Sequence, residues 1–174
     1  LGEINPRNVA EEDADATFVP MAAVSEKHGE PVGGEEAFWG EISKGYTHFG
    51  NGDVLVAKIT PCFENGKAAT VTGLKHGIGA GSTEFHVFRP ISEDVNPAYV
   101  YLFLRSPLFR IKGQSSMTGT AGQKRLPTDY FALCPLPLPP KAEQARIVVK
   151  VDELMTLCDA QESQQQSRRK LQNT

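Results

Sequence analysis

The stretch SSMTGTAGQKRLP, residues 115–127, gathers two glycines, several hydroxyls, an amide and two adjacent cations. These parts suit an anion. Gly119 and Gly122 leave backbone N–H groups accessible, Thr118 and Thr120 bring hydroxyls, Gln123 an amide, and Lys124 and Arg125 positive charge. The spacing argues against nucleotide binding through this loop: a P-loop needs four residues between its glycines and a hydroxyl after the lysine, whereas GTAGQKR has two and Arg125 in the hydroxyl position. A second polar stretch, KITPCFENGK at 58–67, places Lys58, Thr60, Cys62, Glu64, Asn65 and Lys67 around a tight turn. A nucleophilic Cys62 would require a base and an orienting group, and no spacing singles one out. The rest suits phosphates and base edges, because Asn and Lys read adenine and guanine edges and Thr meets phosphate or a thymine methyl. The plain alternative is a polar turn between two strands.

Other chemistry finds little support in the spacing. His28, His48, His76 and His86 are scattered, and Cys62, Cys134 and Cys158 are odd in number, far apart and without a C-x-x-C pair. This pattern predicts no metal site, no disulfide framework and a reduced compartment, with the histidines in structural or surface roles. NPAY at 96–99 resembles the Asn-Pro-Pro-Tyr motif with which amino-methyltransferases hold a flipped adenine, but Ala98 replaces the second proline and no cofactor-binding glycine motif precedes it. We read it as a helix start and expect no cofactor, S-adenosylmethionine included.

The elements that position the two polar stretches are strand-rich. GDVLVAKIT (52–60), GKAATVTG (66–73) and TEFHVFRP (83–90) alternate or are β-branched and predict an antiparallel sheet core; TFVPMAAV (17–24) reads as strand, and EEAFWGEI (35–42) as a short helix or irregular loop. Asn96 as N-cap and Pro97 at the first helical position start an apolar helix, AYVYLFLRS, which Pro107 interrupts. A second short helix is expected to end at Gly113, and DYFALCPLPLPP (129–140) reads as a strand followed by a proline-stiffened hinge. The final segment, from Lys141, has no Gly or Pro and predicts a helix on the order of 45–50 Å long. Ile147, Val151, Leu154 and Cys158 form a 4-3-4 pairing seam, widened by Val148 and Met155. Farther along, the same frame carries Gln161, Gln165 and Arg168, so the second half pairs through polar contacts, needs a partner, or frays.

The fold class expected is therefore α+β: a domain at 1–139 with a twisted, mainly antiparallel sheet and a few short helices, then one long coiled-coil-type helix at 140–174. The 174 residues allow one ordinary domain with an appendage. No membrane-length apolar run and no signal peptide is present, which predicts a cytoplasmic chain, and the start without Met suggests a fragment. Net charge is −3, yet residues 1–53 carry eleven acids against three bases, leaving ten against fifteen in the rest. A basic face confined to the later part is compatible with nucleic acid, because binding follows the local footprint.

In order along the chain, GDVLVAKITPCFENGKAA, GAGSTEFHVFRP, AYVYLFLRSPLF, MTGTAGQKRLP and PLPLPPKAEQARIVVKVDELM closely resemble the target recognition domain of type I restriction-modification specificity subunits with its following helix. The resemblance runs from about residue 46 to about residue 160, with a less distinctive fit before it. It implies a non-catalytic module that binds double-stranded DNA and directs methyltransferase and restriction subunits to one half of a split site. In that family two recognition domains are separated by two antiparallel helices, so one domain and one helix amount to half a subunit, which pairs with a second domain and helix or with itself. The alternatives are the recognition end of a fused adenine-N6 methyltransferase and a protein-interaction module without DNA contact. Under the resemblance Thr118, Thr120, Gln123, Lys124 and Arg125 grip phosphates or shape the loop, with Lys58, Thr60, Asn65 and Lys67 in the other loop. Base reading falls to less family-typical segments, with Lys44, Tyr46, His48 and Lys75 as candidates.

Overall fold

The computed structural model describes residues 1–172. Four antiparallel strands form the first sheet: β1 (Gly2–Ile4), β8 (Phe85–Pro90), β5 (Val54–Ala57) and β6 (Ala68–Thr70), in that spatial order. The second sheet has the order β3 (Glu35–Phe38), β2 (Asp15–Val19), β7 (Ile78–Gly81) and β4 (Thr47–Gly50), and its β2–β7 pair is parallel. A two-stranded hairpin, β9 (Thr118–Thr120) and β10 (Gln123–Arg125), stands apart from both.

Strand alternation explains how the layers stack. On β5, Val54 and Val56 pack among the helices with Phe63, Val100, Leu104 and Phe109, while Leu55 points the other way to meet Val19, Phe49, Val71, Phe85 and Val87. A sheet covered on both faces needs apolar residues at consecutive positions, and all four residues of β5 are buried. The outer face of the second sheet is closed by a smaller cluster of Ala16, Ala80, Trp39 and Ile42, the last two from the single-turn helix α1 (Trp39–Ile42).

Helix α2 (Pro97–Arg105) starts as its sequence predicts: Pro97 opens it and the Asn96 side chain accepts from the Ala98 N–H at 2.9 Å. Ser106 and Pro107 repeat the device for α3 (Pro107–Ser116). Gly113 does not end α3. It lies inside the helix, where an added Cβ would stand 2.5 Å from the Phe63 ring, so the missing side chain serves close packing. Two other expectations are corrected. Residues 35–42 divide into β3 and α1, and residues 128–133 form a short helix, α4 (Thr128–Leu133), whose Phe131 enters the core, in place of a strand. The expected strand at 17–24 stops at Val19 and turns, and that at 66–73 shortens to three residues.

Helix α5 (Lys141–Gln172) follows the proline-rich segment, and the last two residues of the predicted helical region lie outside the described residues. The helix is fixed at its root by Gln144, which is fully buried. Its Oε1 accepts from the Asn96 N–H at 2.9 Å, and its Nε2 donates to the Asp94 and Pro139 carbonyls at 2.8 Å each. Three hydrogen bonds make the buried amide tolerable here, because its carbonyl oxygen and its amino group both find partners. One turn pair farther on, His28 Nε2 approaches Asp152 Oδ1 at 2.7 Å, with the imidazole against the Tyr101 ring. Among the described residues no helix is long and apolar enough to cross a membrane.

Candidate nucleic-acid interface

The two polar stretches are separate in sequence and joined in space. Beyond β5 the chain continues as Lys58–Thr60 and is zipped to the exit strand of the hairpin. Leu126 N–H donates to the Lys58 carbonyl at 2.8 Å, Thr60 N–H donates to the Lys124 carbonyl at 3.0 Å, and Ile59 faces Arg125 in an antiparallel bridge. The Thr60 hydroxyl accepts from Lys124 N–H and donates to the Gly122 carbonyl, both at 3.1 Å. Its one donor is thus used inside the joint and cannot reach a phosphate, so Thr60 builds the surface. The ring of His86 closes the joint from below: Nε2–H donates to the Leu126 carbonyl at 2.8 Å while the imidazole stacks on Phe131. Burial holds the His86 pKa below its ordinary value, so the neutral ring is the form that fits.

The hairpin itself projects. All six of its strand residues are exposed, including Thr118, Thr120, Gln123, Lys124 and Arg125. It turns at Ala121–Gly122, and Gly119 and Gly122 have φ of 130° and 80°. A Cβ on Gly119 would stand 2.6 Å from the Gln123 carbonyl oxygen, so the close approach of the two strands needs glycine there.

The two cations of the hairpin differ. Arg125 holds Glu84 in a bidentate pair, Nε to Oε2 at 2.9 Å and Nη2 to Oε1 at 2.7 Å. The pair pulls the Glu84 carboxyl below the usual carboxylate range and pushes the guanidinium further up. Lys124 has no carboxylate partner among the described residues.

The other predicted contacts are placed differently. Asn65 donates to Glu26 Oε1 at 3.0 Å and Lys67 to the Met21 carbonyl at 3.4 Å, which ties the end of the 58–67 turn back to the domain. Arg105 completes that tie through the Gly66 and Glu26 carbonyls. Lys75 pairs with Glu36 at 2.7 Å. Lys44 and Tyr46 are exposed beside Gly45, which has φ of 81°; Tyr46 sets its ring edge-on to Phe18. His48 does not fit the expectation of a surface base reader: it is buried, its Nδ1 accepts from Asn8 N–H at 3.2 Å, and its Nε2–H donates to the Ser43 carbonyl at 2.8 Å. Desolvation by burial, opposed by the Ser43 hydrogen bond and aided by the charge of Arg7, lowers the pKa of this ring from its ordinary value.

Two residues of the surface were missed by reading motifs. Glu84 belongs to a strand pattern that looked structural, and Arg7 stands 41 positions from His48 in a segment without a local signal. The helix seam is also divided by the fold. Ile147 and Val151 are half-buried near the domain with Val148 and Met155, whereas Leu154 and Cys158 are exposed.

Residues 1–168 match the family model for the type I restriction modification DNA specificity domain. Across 165 residues, 94% of this chain, the sequence is 48% identical to two Escherichia coli proteins, the specificity subunits of the type I restriction enzymes EcoAI and EcoEI. The chain spans 28% of the length of each. The crystal structure of the HsdS subunit from Thermoanaerobacter tengcongensis is similar in fold, with a TM-score of 0.69 and 24% identity over 86% of this chain and 38% of that one. A structure described as the basis of complex assembly and conformational transition of the type I restriction-modification system gives 0.68 and 26% over 87% and 38%. With the family model covering nearly the whole sequence and the fold shared, the chain belongs to the type I restriction modification DNA specificity domain family.

Proposed function

We propose that this chain is a non-catalytic module that binds duplex DNA and supplies half of the target recognition of a type I restriction-modification specificity subunit in the cytoplasm. The observation that carries the reading is the joint of Lys58–Thr60 with the hairpin. It joins Lys58–Thr60 to an exposed hairpin whose Lys124 has no carboxylate partner among the described residues. Phosphate contacts of this kind position a protein on DNA without choosing a sequence. In the same reading residues 1–139 form the DNA-binding domain and the helix serves as spacer. Its seam of Ile147, Val151, Leu154 and Cys158 pairs with a second such helix or a second copy, and methyltransferase and restriction subunits dock on the assembly. Leu154 and Cys158 are exposed, as unpartnered seam residues would be.

Lys124→Ala tests the reading. The variant should weaken binding to all duplexes alike and reduce the slope of log affinity against log salt by about 0.9, one lost phosphate contact. Unchanged affinity across a salt titration would remove the hairpin from the interface.

A further inference from the structure

Beside this joint lies a groove of about 340 Å³ whose lining includes Arg7, Tyr46, Lys58 and Thr83 and, among the described residues, contains no carboxylate. In a chain with more acids than bases this is an unusual local balance. A cleft along α5 alternates Glu143 and Glu153 with Arg146 and Lys150, and another at α3 and α4 sets Lys112 near Asp129. Neither offers unopposed charge.

Arg7 is presented rigidly. Pro6 before it is buried, and Asn8 after it is held three ways: its N–H donates to His48 Nδ1 at 3.2 Å, its Nδ2 donates to the Phe49 carbonyl at 2.7 Å, and its Oδ1 accepts from Arg89 Nη2 at 2.9 Å. Arg89 is in turn clamped by Asp53, at 2.9 and 2.7 Å. The chain around Arg7 is therefore fixed from both sheets while its guanidinium remains exposed. The 3.5 Å approach of Arg7 Nη1 to His48 Nε2 is not a hydrogen bond, because that nitrogen carries the proton donated to Ser43. Among the described residues the guanidinium thus has neither a carboxylate partner nor an acceptor.

We infer that Arg7 is a sequence-determining contact of this chain, reading a guanine edge from the groove while Lys58 across it holds phosphate. The inference presupposes that the chain binds duplex DNA. A planar guanidinium donates two parallel bonds to O6 and N7 of guanine, a geometry an ammonium cannot reproduce, and a fixed backbone lowers the entropy lost in forming it. Tyr46 at the rim offers an aromatic face beside the bound strand. The segment carrying Arg7 has no cationic motif, so only the fold assigns it to this surface.

The test selects duplexes from a library of randomised sequence with the full chain and with Arg7→Ala, Arg7→Lys and Lys58→Ala, each first shown to melt like the wild type. The wild type should enrich a motif containing guanine. Both Arg7 variants should lose the preference at one or two adjacent positions, with discrimination there falling about tenfold to a hundredfold. Arg7→Lys should keep most of the nonspecific affinity. Lys58→Ala should weaken all sequences and leave the motif intact. An Arg7→Ala variant that enriches the wild-type motif unchanged overturns the inference and leaves the DNA-binding reading standing. A wild-type chain that binds no duplex removes that reading, and the inference with it.

Discussion

Lys124 and Lys75 are both exposed lysines in short chain reversals, yet they sit in opposite electrostatic settings. Lys75 reaches Glu36 at 2.7 Å, and its neighbour His76 stands 3.6 Å from Asp15, so the acidic strands β2 and β3 compensate that corner. The hairpin contains no acid, and its single borrowed carboxylate, Glu84, is taken by Arg125. Residue type alone therefore does not separate the two. What separates them is whether the surrounding strands have already supplied a counter-charge, and in the proposed reading this decides which cation is free for DNA, because a paired cation must give up one partner to gain another.

The largest effect is expected where buried charge holds the segment that carries Arg7. Asp53 is almost fully buried and holds both Arg89 and the Gly50 N–H. Asp53→Ala should cost about 3 kcal/mol of stability in denaturant unfolding, the lower end for a broken buried pair since Arg89 keeps some solvent access. It should also loosen the segment that carries Arg7. A middle-sized effect is expected of Glu84→Gln, which frees the Arg125 charge: nonspecific duplex affinity should rise and the salt slope steepen by up to about 0.9. No change would mean that Arg125 faces away from DNA. The smallest effect belongs to Lys75→Ala, which should leave both affinity and salt slope unaltered, since its charge is already matched. A loss equal to that of Lys124→Ala would erase the distinction between the two corners.

Much of the architecture is legible locally. The strands around 54–57 and 85–90, the capped start at Asn96-Pro97, the break at Pro107 and the final helix all follow from periodicity and from residues whose backbone preferences are strong. Two of the differences share a cause. Gly113 and residues 128–133 were read by intrinsic preference, and the packing of Phe63 against Gly113 and of Phe131 into the core decided otherwise. The candidate site was legible in part. Thr118, Thr120, Gln123, Lys124 and Arg125 do form one exposed element, and Lys58 and Thr60 join it. Asn65, Lys67 and Lys75 looked equivalent in sequence and are engaged elsewhere, and His48 is turned inward. Nothing short-range distinguishes them, because the partners that claim them are 39 or more residues away in every case but the local His48–Ser43 bond.

By itself the sequence determined the types of the main elements and the family, through a collinear order of motifs. Those are properties of short stretches and their order. Only the tertiary structure decided that two distant loops are joined, that Arg125 is neutralised and Lys124 is not, and that Arg7 stands over a groove without carboxylates among the described residues. Each of these depends on which side chains meet across long separations, and burial and charge pairing are settled by such meetings and not by the residues one at a time.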